Sequence, residues 1–323
     1  MDTAASGSTI LAVAPNPALD RVALAEGASR GGIVRAAAYL DTPGGKGTHV
    51  ALVAARLGQR AILLAPLGGS RGKLVAELLA ASPVELVPIA IEAETRGTYT
   101  VVDPDVGEAV LEVIEPSPAL TDAEALAFAE ELERRSTLAS VMVGSGSLPG
   151  GLSDDFYSCV VLAGRRCGAT TIIDSSGPSL KAALASEPDV VAPNLHEARE
   201  LLGMEISADA SLEELALTAR TIREFGARSV LLTLGARGSF LLTSDDEAWS
   251  LAGHPARTVN DVGCGDALIG GLAAGLAQGM SLVEAAGMGT AAAVDKIAHL
   301  HPGFIDGPRV RANLSRVSRE RVA

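Results

Sequence analysis

Short apolar segments alternate with helix-like segments along most of the chain. Each apolar segment ends in Gly, Pro, Asn or Ser, and the set comprises TILAVAP, AILLAPLG, LASVMVGSG, ATTIIDSSG, PDVVAPN and SVLLTLG. Brief, uniformly apolar runs are typical of strands buried on both faces. The stretches between them carry apolar residues three and four apart, and in TDAEALAFAEELERR the pair Thr121 and Glu124 predicts a capping box. This alternation predicts an α/β fold with a mostly parallel central sheet and helices on both faces.

Two regions interrupt the alternation. Residues 18–42 and 84–115 contain strand-like pieces, among them VELVPIAI, GTYTVVD and EAVLEVI, with no helical pattern between them. Such hairpins predict a small antiparallel sheet that stands apart from the main one as a lid. Because no Pro- or Ser-rich linker divides the sequence, residues 1–323 are expected to form one domain.

Charge and composition exclude several classes of protein. The formal net charge is −13, whereas nucleic-acid binding requires clustered Lys and Arg, so no nucleic-acid partner is expected. The three cysteines are too few and too poorly spaced for a disulfide framework or a zinc site, and they suit a reducing compartment. No secretory signal and no apolar run of membrane-spanning length is visible, so no membrane contact and a cytoplasmic location are expected.

An acidic residue occupies an unusual position in VNDVGCGDALIGGLAAGL, residues 259–276. Asp266 follows Gly263 and Gly265 and opens a run of small apolar residues. Two interpretations are compatible with these residues. The carboxylate caps a helix, or it acts as a base beside an anion site made by the N–H groups of the helix start. Neither this segment nor GGKGTHV has the frame of a dinucleotide-binding or Walker A loop.

The segment NDVGCGDALIGGLAAGL resembles the C-terminal signature of the PfkB (ribokinase-like) carbohydrate kinases. Further motifs of that family follow in the same order along nearly the whole chain: NPALD (16–20), PGGKGTHVALVAARLG (43–58), ETRGTYTVVD (94–103), GSGSLPGGL (144–152), IIDSSG (172–177), PNLHEARELLG (193–203) and LLTLGARGSF (231–240). The forms GKG and GSLPGG are most similar to the 1-phosphofructokinase and tagatose-6-phosphate kinase branch.

The resemblance implies a ribokinase-like fold and an enzyme that depends on ATP and Mg²⁺. Such an enzyme would phosphorylate a hydroxymethyl group of a ketohexose phosphate, namely fructose 1-phosphate, tagatose 6-phosphate or fructose 6-phosphate, to a 1,6-bisphosphate. Asp266 would be the base, and the backbone N–H groups of Gly263, Cys264 and Gly265 would form the anion hole for the transferred phosphoryl group.

The resemblance also implies the binding residues. Lys46 and Arg96 would bind the phosphate that the substrate already carries, since both are cations suited to phosphate. The other substrate contacts would be Asp20, Gly44, Gly45, His49 and Ser147, although Ser147 equally suits a turn. ATP would contact Asn194, Thr233, Gly235 and Gly238. Asn194 and Glu197 would hold Mg²⁺ largely through water, although a helix capping box would have the same residues.

Four residues depart from the family's usual pattern. His49 and Thr98 stand where Asn is common, Ala192 replaces a Lys, and Asp261 replaces a Thr. Two alternatives therefore stay open: a kinase of an unphosphorylated sugar, nucleoside or sugar acid, and a non-catalytic sugar or nucleotide sensor on the same fold. The exposed face of the lid predicts a homodimer. The sugar epimer, its phosphate position, the nucleotide and the need for a monovalent cation stay open as well.

Overall fold

A computed structural model describes residues 8–28, 31–105, 108–254 and 256–322. Its strands are β1 (Thr9–Val13), β2 (Ala18–Leu24), β3 (Ala38–Gly44), β4 (Arg60–Leu67), β5 (Glu85–Ala90), β6 (Arg96–Asp103), β7 (Glu108–Ile114), β8 (Val141–Ser145), β9 (Thr170–Asp174), β10 (Val190–Val191), β11 (Ser229–Thr233), β12 (Ser239–Leu242), β13 (Ala248–Ala252) and β14 (Ser318–Val322). Its α-helices are α1 (Lys46–Arg56), α2 (Gly69–Ala80), α3 (Asp122–Ser136), α4 (Phe156–Cys167), α5 (Gly177–Leu184), α6 (Leu195–Leu202), α7 (Leu212–Glu224), α8 (Cys264–Ala277), α9 (Leu282–Lys296) and α10 (Gly307–Asn313).

The predicted apolar strands form one large sheet. Its order is β14-β13-β12-β11-β10-β9-β8-β1-β4-β5, and every neighbouring pair from β11 to β5 is parallel. The remaining strands, β12 to β14, extend one edge in antiparallel fashion. Alternate residues of β1 enter separate hydrophobic cores, with Ile10 on one face and Leu11 on the other. The structure therefore confirms an α/β fold with helices on both faces of a mostly parallel sheet.

The small sheet is separate, with the order β3-β2-β6-β7. Its outer pairs are antiparallel, and its central pair, β2 with β6, is parallel. One part of the predicted lid is wrong: the VELVPIAI segment forms β5, which pairs with β4 in the large sheet. Its alternating buried and exposed residues suit an edge strand of either sheet, so the sequence pattern alone did not distinguish them. Positions 29–30 and 106–107 of the predicted lid lie outside the described residues.

Helices α8 and α9 pack unusually closely, because small residues line their contact. A Cβ atom added to Gly271 would lie 2.7 Å from the Cα atom of Gly289. This close packing fixes α8 against α9. The capping box predicted for Thr121 and Glu124 is also present at the start of α3. No helix in the described parts of the chain has the length and apolar character needed to cross a membrane.

Candidate active site

The sequence motifs converge at one end of the large sheet. Parallel strands end there, and the turns after them carry the predicted site residues, as is usual for open α/β sheets. The turn after β1 leads into the lid, α1 begins directly after lid strand β3, and α8 begins beside them. The site therefore lies between the carboxyl ends of the strands and the small sheet.

Asp266 lies in the first turn of α8 and does not cap the helix. Gly263 is the N-cap residue, with a φ of 86°, and no side chain caps this helix. The buried carboxylate of Asp266 instead lies 2.6 Å from Nδ1 of His49. Burial opposes ionisation, but the hydrogen bond and charge of His49, together with Lys46 and Lys296, lower the pKa of Asp266. The capping interpretation is wrong, and the acid is an ionised group held inside the site.

His49 bridges two carboxylates. It lies on α1, only 3% exposed, and its Nε2 is 3.1 Å from Oδ2 of Asp20, an ion-pair distance without hydrogen-bond alignment. Burial alone would lower the pKa of His49, but the close contacts with the carboxylates of Asp20 and Asp266 outweigh it and raise the pKa to about 9. An imidazolium between the two carboxylates balances their negative charge. The sequence predicted only a sugar contact for His49, because Asp266 is 217 residues away along the chain.

Asp20 is fixed from two further directions. Thr98 donates a hydrogen bond of 2.5 Å from Oγ1 to Oδ1 of Asp20. Gly44 lies opposite, where an added Cβ atom would be 1.9 Å from the same oxygen. The glycine therefore permits the close approach of the carboxylate to β3. Thr98, which departs from the family's usual Asn, positions the predicted substrate residue Asp20.

The predicted anion hole is partly occupied by the protein's own contacts. The Cys264 N–H donates to the carbonyl of Asp261 at 3.2 Å and thereby closes the turn before α8. In front of Gly265 there is open space, since an added Cβ atom would meet no heavy atom within 4 Å. Burial raises the pKa of the Cys264 thiol to about 11, so the thiol is neutral near pH 7. The geometry leaves room for a ligand beside Gly265 at the positive end of the helix dipole.

Lys46 begins α1 and has two acidic partners. Its Nζ lies 3.4 Å from Oδ1 of Asp174 and 3.2 Å from Oε1 of Glu197. The charge of Asp174 is the largest cause that raises the pKa of Lys46 above its ordinary value, and burial opposes it. Ser145 donates to the other oxygen of Asp174 at 2.8 Å. The sequence patterns did not single out Asp174, although it ends strand β9 within the IIDSSG motif.

Arg96 and Ser147 meet through a residue that the sequence analysis did not single out. Asn16 follows β1 and is 5% exposed. Its Nδ2 donates to Ser147 Oγ at 2.9 Å and to Ser117 Oγ at 2.6 Å, and its carbonyl accepts from Arg96 Nη2 at 3.1 Å. The signal was available, because Asn16 opens the NPALD motif. Gly45, a predicted substrate contact, packs against the same residue, since a Cβ atom added to it would lie 3.1 Å from the Asn16 carbonyl oxygen.

The predicted nucleotide residues gather at the ends of β10 and β11. Asn194 forms an isolated bridge with Thr233, and the Thr233 N–H donates to the Pro193 carbonyl at 3.1 Å. A short 3₁₀ turn follows, which begins at Gly235 and ends before Gly238, and the φ angles of these two residues, 60° and 88°, favour glycine. The structure thus brings these four predicted residues to one end of the sheet.

Asn194 and Glu197 also form the helix capping box that the sequence analysis kept as an alternative. Asn194 Oδ1 accepts from the Glu197 N–H, and Glu197 Oε2 accepts from the Asn194 N–H, both at 2.9 Å. The described residues contain no group of three or more His, Cys, Asp or Glu side chains suited to a metal. A role in holding Mg²⁺ through water stays a prediction.

Two of the departures from the family pattern have visible consequences. Ala192 is buried after β10, so no side-chain cation extends from this position toward the nucleotide end. Asp261 accepts a hydrogen bond of 3.4 Å at Oδ1 from the backbone N–H of Ala109 on β7. The residue that replaces the usual Thr therefore links the lid to the turn that precedes α8.

Comparison with known proteins identifies the family. The profile of the pfkB family carbohydrate kinases matches residues 16–303. The chain belongs to this family. It is therefore a carbohydrate kinase, and ATP is the phosphoryl donor that the family implies.

Individual relatives support this assignment. The chain is 33% identical over 285 residues to the ATP-dependent 6-phosphofructokinase isozyme 2 of Mycobacterium tuberculosis, covering 88% of this chain and 82% of that protein. It is 28% identical to phosphofructokinase-2 of Escherichia coli in complex with substrates and products, with a TM-score of 0.84 and coverage of 95% and 98%. A possible 1-phosphofructokinase of Thermotoga maritima, 22% identical, shares the fold with a TM-score of 0.88 over 98% of this chain and 100% of that one.

Proposed function

We propose that this kinase transfers the γ-phosphoryl group of Mg·ATP to a hydroxymethyl group of a ketohexose phosphate, producing a 1,6-bisphosphate. The Asp266 carboxylate is the observation that carries this proposal. It is buried, held ionised by His49, and placed in the first turn of α8 beside the open space at Gly265. A base and an anion site within one helical turn suit the attack of an alcohol on a phosphate.

In this mechanism Asp266 orients the sugar hydroxyl and accepts its proton as the new oxygen–phosphorus bond forms, while the bond from the γ-phosphorus to the bridging oxygen breaks and ADP leaves. Because the Cys264 N–H already donates to Asp261, the backbone N–H groups of Gly263 and Gly265 are the ones proposed to stabilise the negative charge on the transferred phosphoryl group. A single donor of this kind typically lowers the barrier by about 3–4 kcal/mol.

Arg96, Asn16 and Ser147 support the phosphorylated substrate. Arg96 is partly buried, and the Nε of its guanidinium has no hydrogen-bond partner among the described residues. A phosphate oxygen would supply the missing acceptor. The 33% identical relative is named a 6-phosphofructokinase, which favours fructose 6-phosphate among the three candidate substrates.

The donor atoms at the nucleotide end fit Mg²⁺. Asn194 and Glu197 offer oxygen atoms at the start of α6, and the carboxylate of Asp174 also lies beside Lys46. A hard ion that keeps most of its water needs only one or two such carboxylates. When bound, the ion would neutralise charge on the ATP phosphates.

A kinase of an unphosphorylated sugar is the second candidate, and the surroundings of Lys46 favour it. The ammonium is already balanced by Asp174 and Glu197, so less of its charge is available to a substrate phosphate. In that case Asp20 and His49 would bind sugar hydroxyls, and Arg96 would remain a structural contact of Asn16.

The decisive experiment is ADP production from Mg·ATP with a panel of sugars. The panel holds fructose 6-phosphate, fructose 1-phosphate, tagatose 6-phosphate, free hexoses, ribose and nucleosides. With the correct substrate, Asp266→Asn is expected to lower kcat by about 100- to 10,000-fold, because the proton acceptor is lost. Asp245→Asn, at an exposed turn residue, is the matched control and should retain full activity.

Turnover confined to neutral sugars would replace the first candidate with the second. ATP binding without turnover of any sugar, unaffected by Asp266→Asn, would instead select the sensor.

We also propose a homodimer through the outer face of the lid. Tyr39, Tyr99, Leu111 and Val113 are exposed, and the strand register places them on one face of the small sheet. An exposed apolar face of this kind is stabilised when a second copy covers it. Light scattering should give a dimeric mass, and Leu111→Glu should give a monomer. A monomeric wild-type protein would contradict the proposal.

A further inference from the structure

A lysine is completely buried behind the start of α8. Lys296 is the last residue of α9, with a relative exposure of 0%. Its Nζ donates to the backbone carbonyls of Asn260 at 2.8 Å and His299 at 3.3 Å. Among the described residues its hydrogen-bond partners are carbonyl oxygens alone. Full burial of an ammonium without a contacting carboxylate is costly, and proteins seldom keep such a group without a use for its charge.

The two carbonyls belong to two loops that are joined to each other. The Asn260 N–H donates to the Ile297 carbonyl at 3.2 Å, and Asn260 Nδ2 donates to the Leu300 carbonyl at 2.7 Å. Asn260 Oδ1 accepts from the Val262 N–H at 3.1 Å. Lys296 therefore lies between the segment after α9 (residues 297–302) and the segment that leads into α8 (residues 260–263), where the two are hydrogen-bonded to each other.

The same two segments also meet at the N-cap of α8, where the anion hole is predicted. A Cβ atom added to Gly263 would lie 2.8 Å from the carbonyl oxygen of Pro302, so the N-cap of α8 rests directly on the loop after α9. The charge of Lys296 helps to lower the pKa of Asp266, and burial lowers the pKa of Lys296 itself to about 8. Its positive charge is thus felt at the reacting end of the helix.

We propose that Lys296 is a built-in monovalent cation of the active centre. Its ammonium occupies the position between the carbonyl oxygens of Asn260 and His299 and adds positive charge behind the transferred phosphoryl group. The inference rests on the proposed kinase function of α8. It assigns Lys296 a positioning role through the Asn260–Gly263 segment, and it means that the kinase needs no added K⁺ or NH₄⁺.

The chemistry of the pocket supports this assignment. Carbonyl oxygens that accept from an ammonium also suit K⁺ or NH₄⁺, which carry one positive charge and bind oxygen. Removal of the side chain would therefore leave a polar space lined by carbonyls, open to a small cation. If Lys296 served only to fill space, its removal would not create a site that prefers K⁺ or NH₄⁺ to a larger cation.

The first test is the cation dependence of the wild-type enzyme. Activity is measured without K⁺ or NH₄⁺ and with either ion at about 100 mM, at constant ionic strength set by tetramethylammonium. We expect a change below about twofold, since the cation position is filled by the protein. Stimulation of about tenfold or more by K⁺ would overturn the proposal, and this result does not depend on the folding of any variant.

The second test uses variants. Lys296→Met keeps the length of the side chain and removes the charge, so kcat should fall by about 10- to 100-fold with little change in the KM of the sugar. Lys296→Ala should recover part of its kcat in K⁺ or NH₄⁺ but not in tetramethylammonium. Lys181→Met, at an exposed position of α5, is the matched control. Full activity of Lys296→Met would contradict the proposal.

A third readout separates this inference from the proposed function. The Tm of Lys296→Ala should rise with K⁺ or NH₄⁺ and not with tetramethylammonium, whereas the Tm of the wild type should respond equally to all three. This result would support the cation site even if no sugar in the panel were phosphorylated. Equal responses of the variant to the three ions would overturn it, even in an active kinase.

Discussion

Replacement of His49 by Asn tests the central contact of the site. The substitution introduces the residue that the family commonly has at this position and removes the imidazolium between Asp20 and Asp266. Both carboxylates then lose the positive charge that lies 3.1 Å and 2.6 Å from them. The consequences differ for stability and for catalysis, and each has its own pH dependence.

The stability effect follows from the pKa of His49. A pKa that rises on folding from 6.5 to about 9 corresponds to roughly 3 kcal/mol of stabilisation. Because the folded pKa is the higher one, this contribution is complete below pH 6.5 and is lost as the pH rises through about 9. The lowered pKa of Asp266 reports the same contact, so it is not counted as a second contribution to the stability. The stability difference between wild type and His49→Asn should therefore shrink by roughly 3 kcal/mol from about pH 6 to about pH 9.5.

The catalytic effect concerns the acid side of the pH profile. Without His49, only the charges of Lys46 and Lys296 remain to counter the rise in the pKa of Asp266 that burial causes. Loss of an adjacent opposite charge typically shifts a carboxyl pKa by about 1–3 units. The pKa that defines the acid limb of the kcat/KM profile should rise by that amount. Turnover at higher pH is retained because Asp266 is still present.

Urea unfolding at several pH values and a kcat/KM profile measure the two effects. His196→Asn is the matched control, since the His196 side chain is 73% exposed and pairs with Glu200 on the helix surface. The control should change neither quantity. A stability difference that does not vary with pH, together with an unmoved acid limb, would refute the role given to His49.

Two glycine substitutions test the geometry around the site. Gly44→Ala places a Cβ atom 1.9 Å from Oδ1 of Asp20, so the displaced carboxylate should raise the KM of the sugar far more than it changes ATP binding; equal effects in a kinetic titration would contradict this. Gly271→Ala places a Cβ atom 2.7 Å from the Cα atom of Gly289 and should destabilise the protein by about 1–3 kcal/mol in urea unfolding, whereas an unchanged midpoint would contradict close packing of α8 on α9.

The sequence by itself determined the features that depend on neighbouring residues. The apolar runs became the parallel strands of the large sheet, and Thr121 with Glu124 capped α3, because burial on both faces and capping are local requirements. The ordered motifs identified the family, and four of them contain the turns that follow the parallel strands β8 to β11. For Asn194 and Glu197 the sequence left a cap and a ligand open, and the structure shows the cap.

Only the tertiary structure decided which distant groups meet. It placed β5 in the large sheet, Lys46 between Asp174 and Glu197, and His49 against Asp266. Lys296 gave no signal in the sequence, since a lysine at a helix end is ordinarily a solvated residue. The physical reason is common to all of them: burial and charge pairing depend on which elements the fold brings together, and no pattern of neighbouring residues specifies that partner.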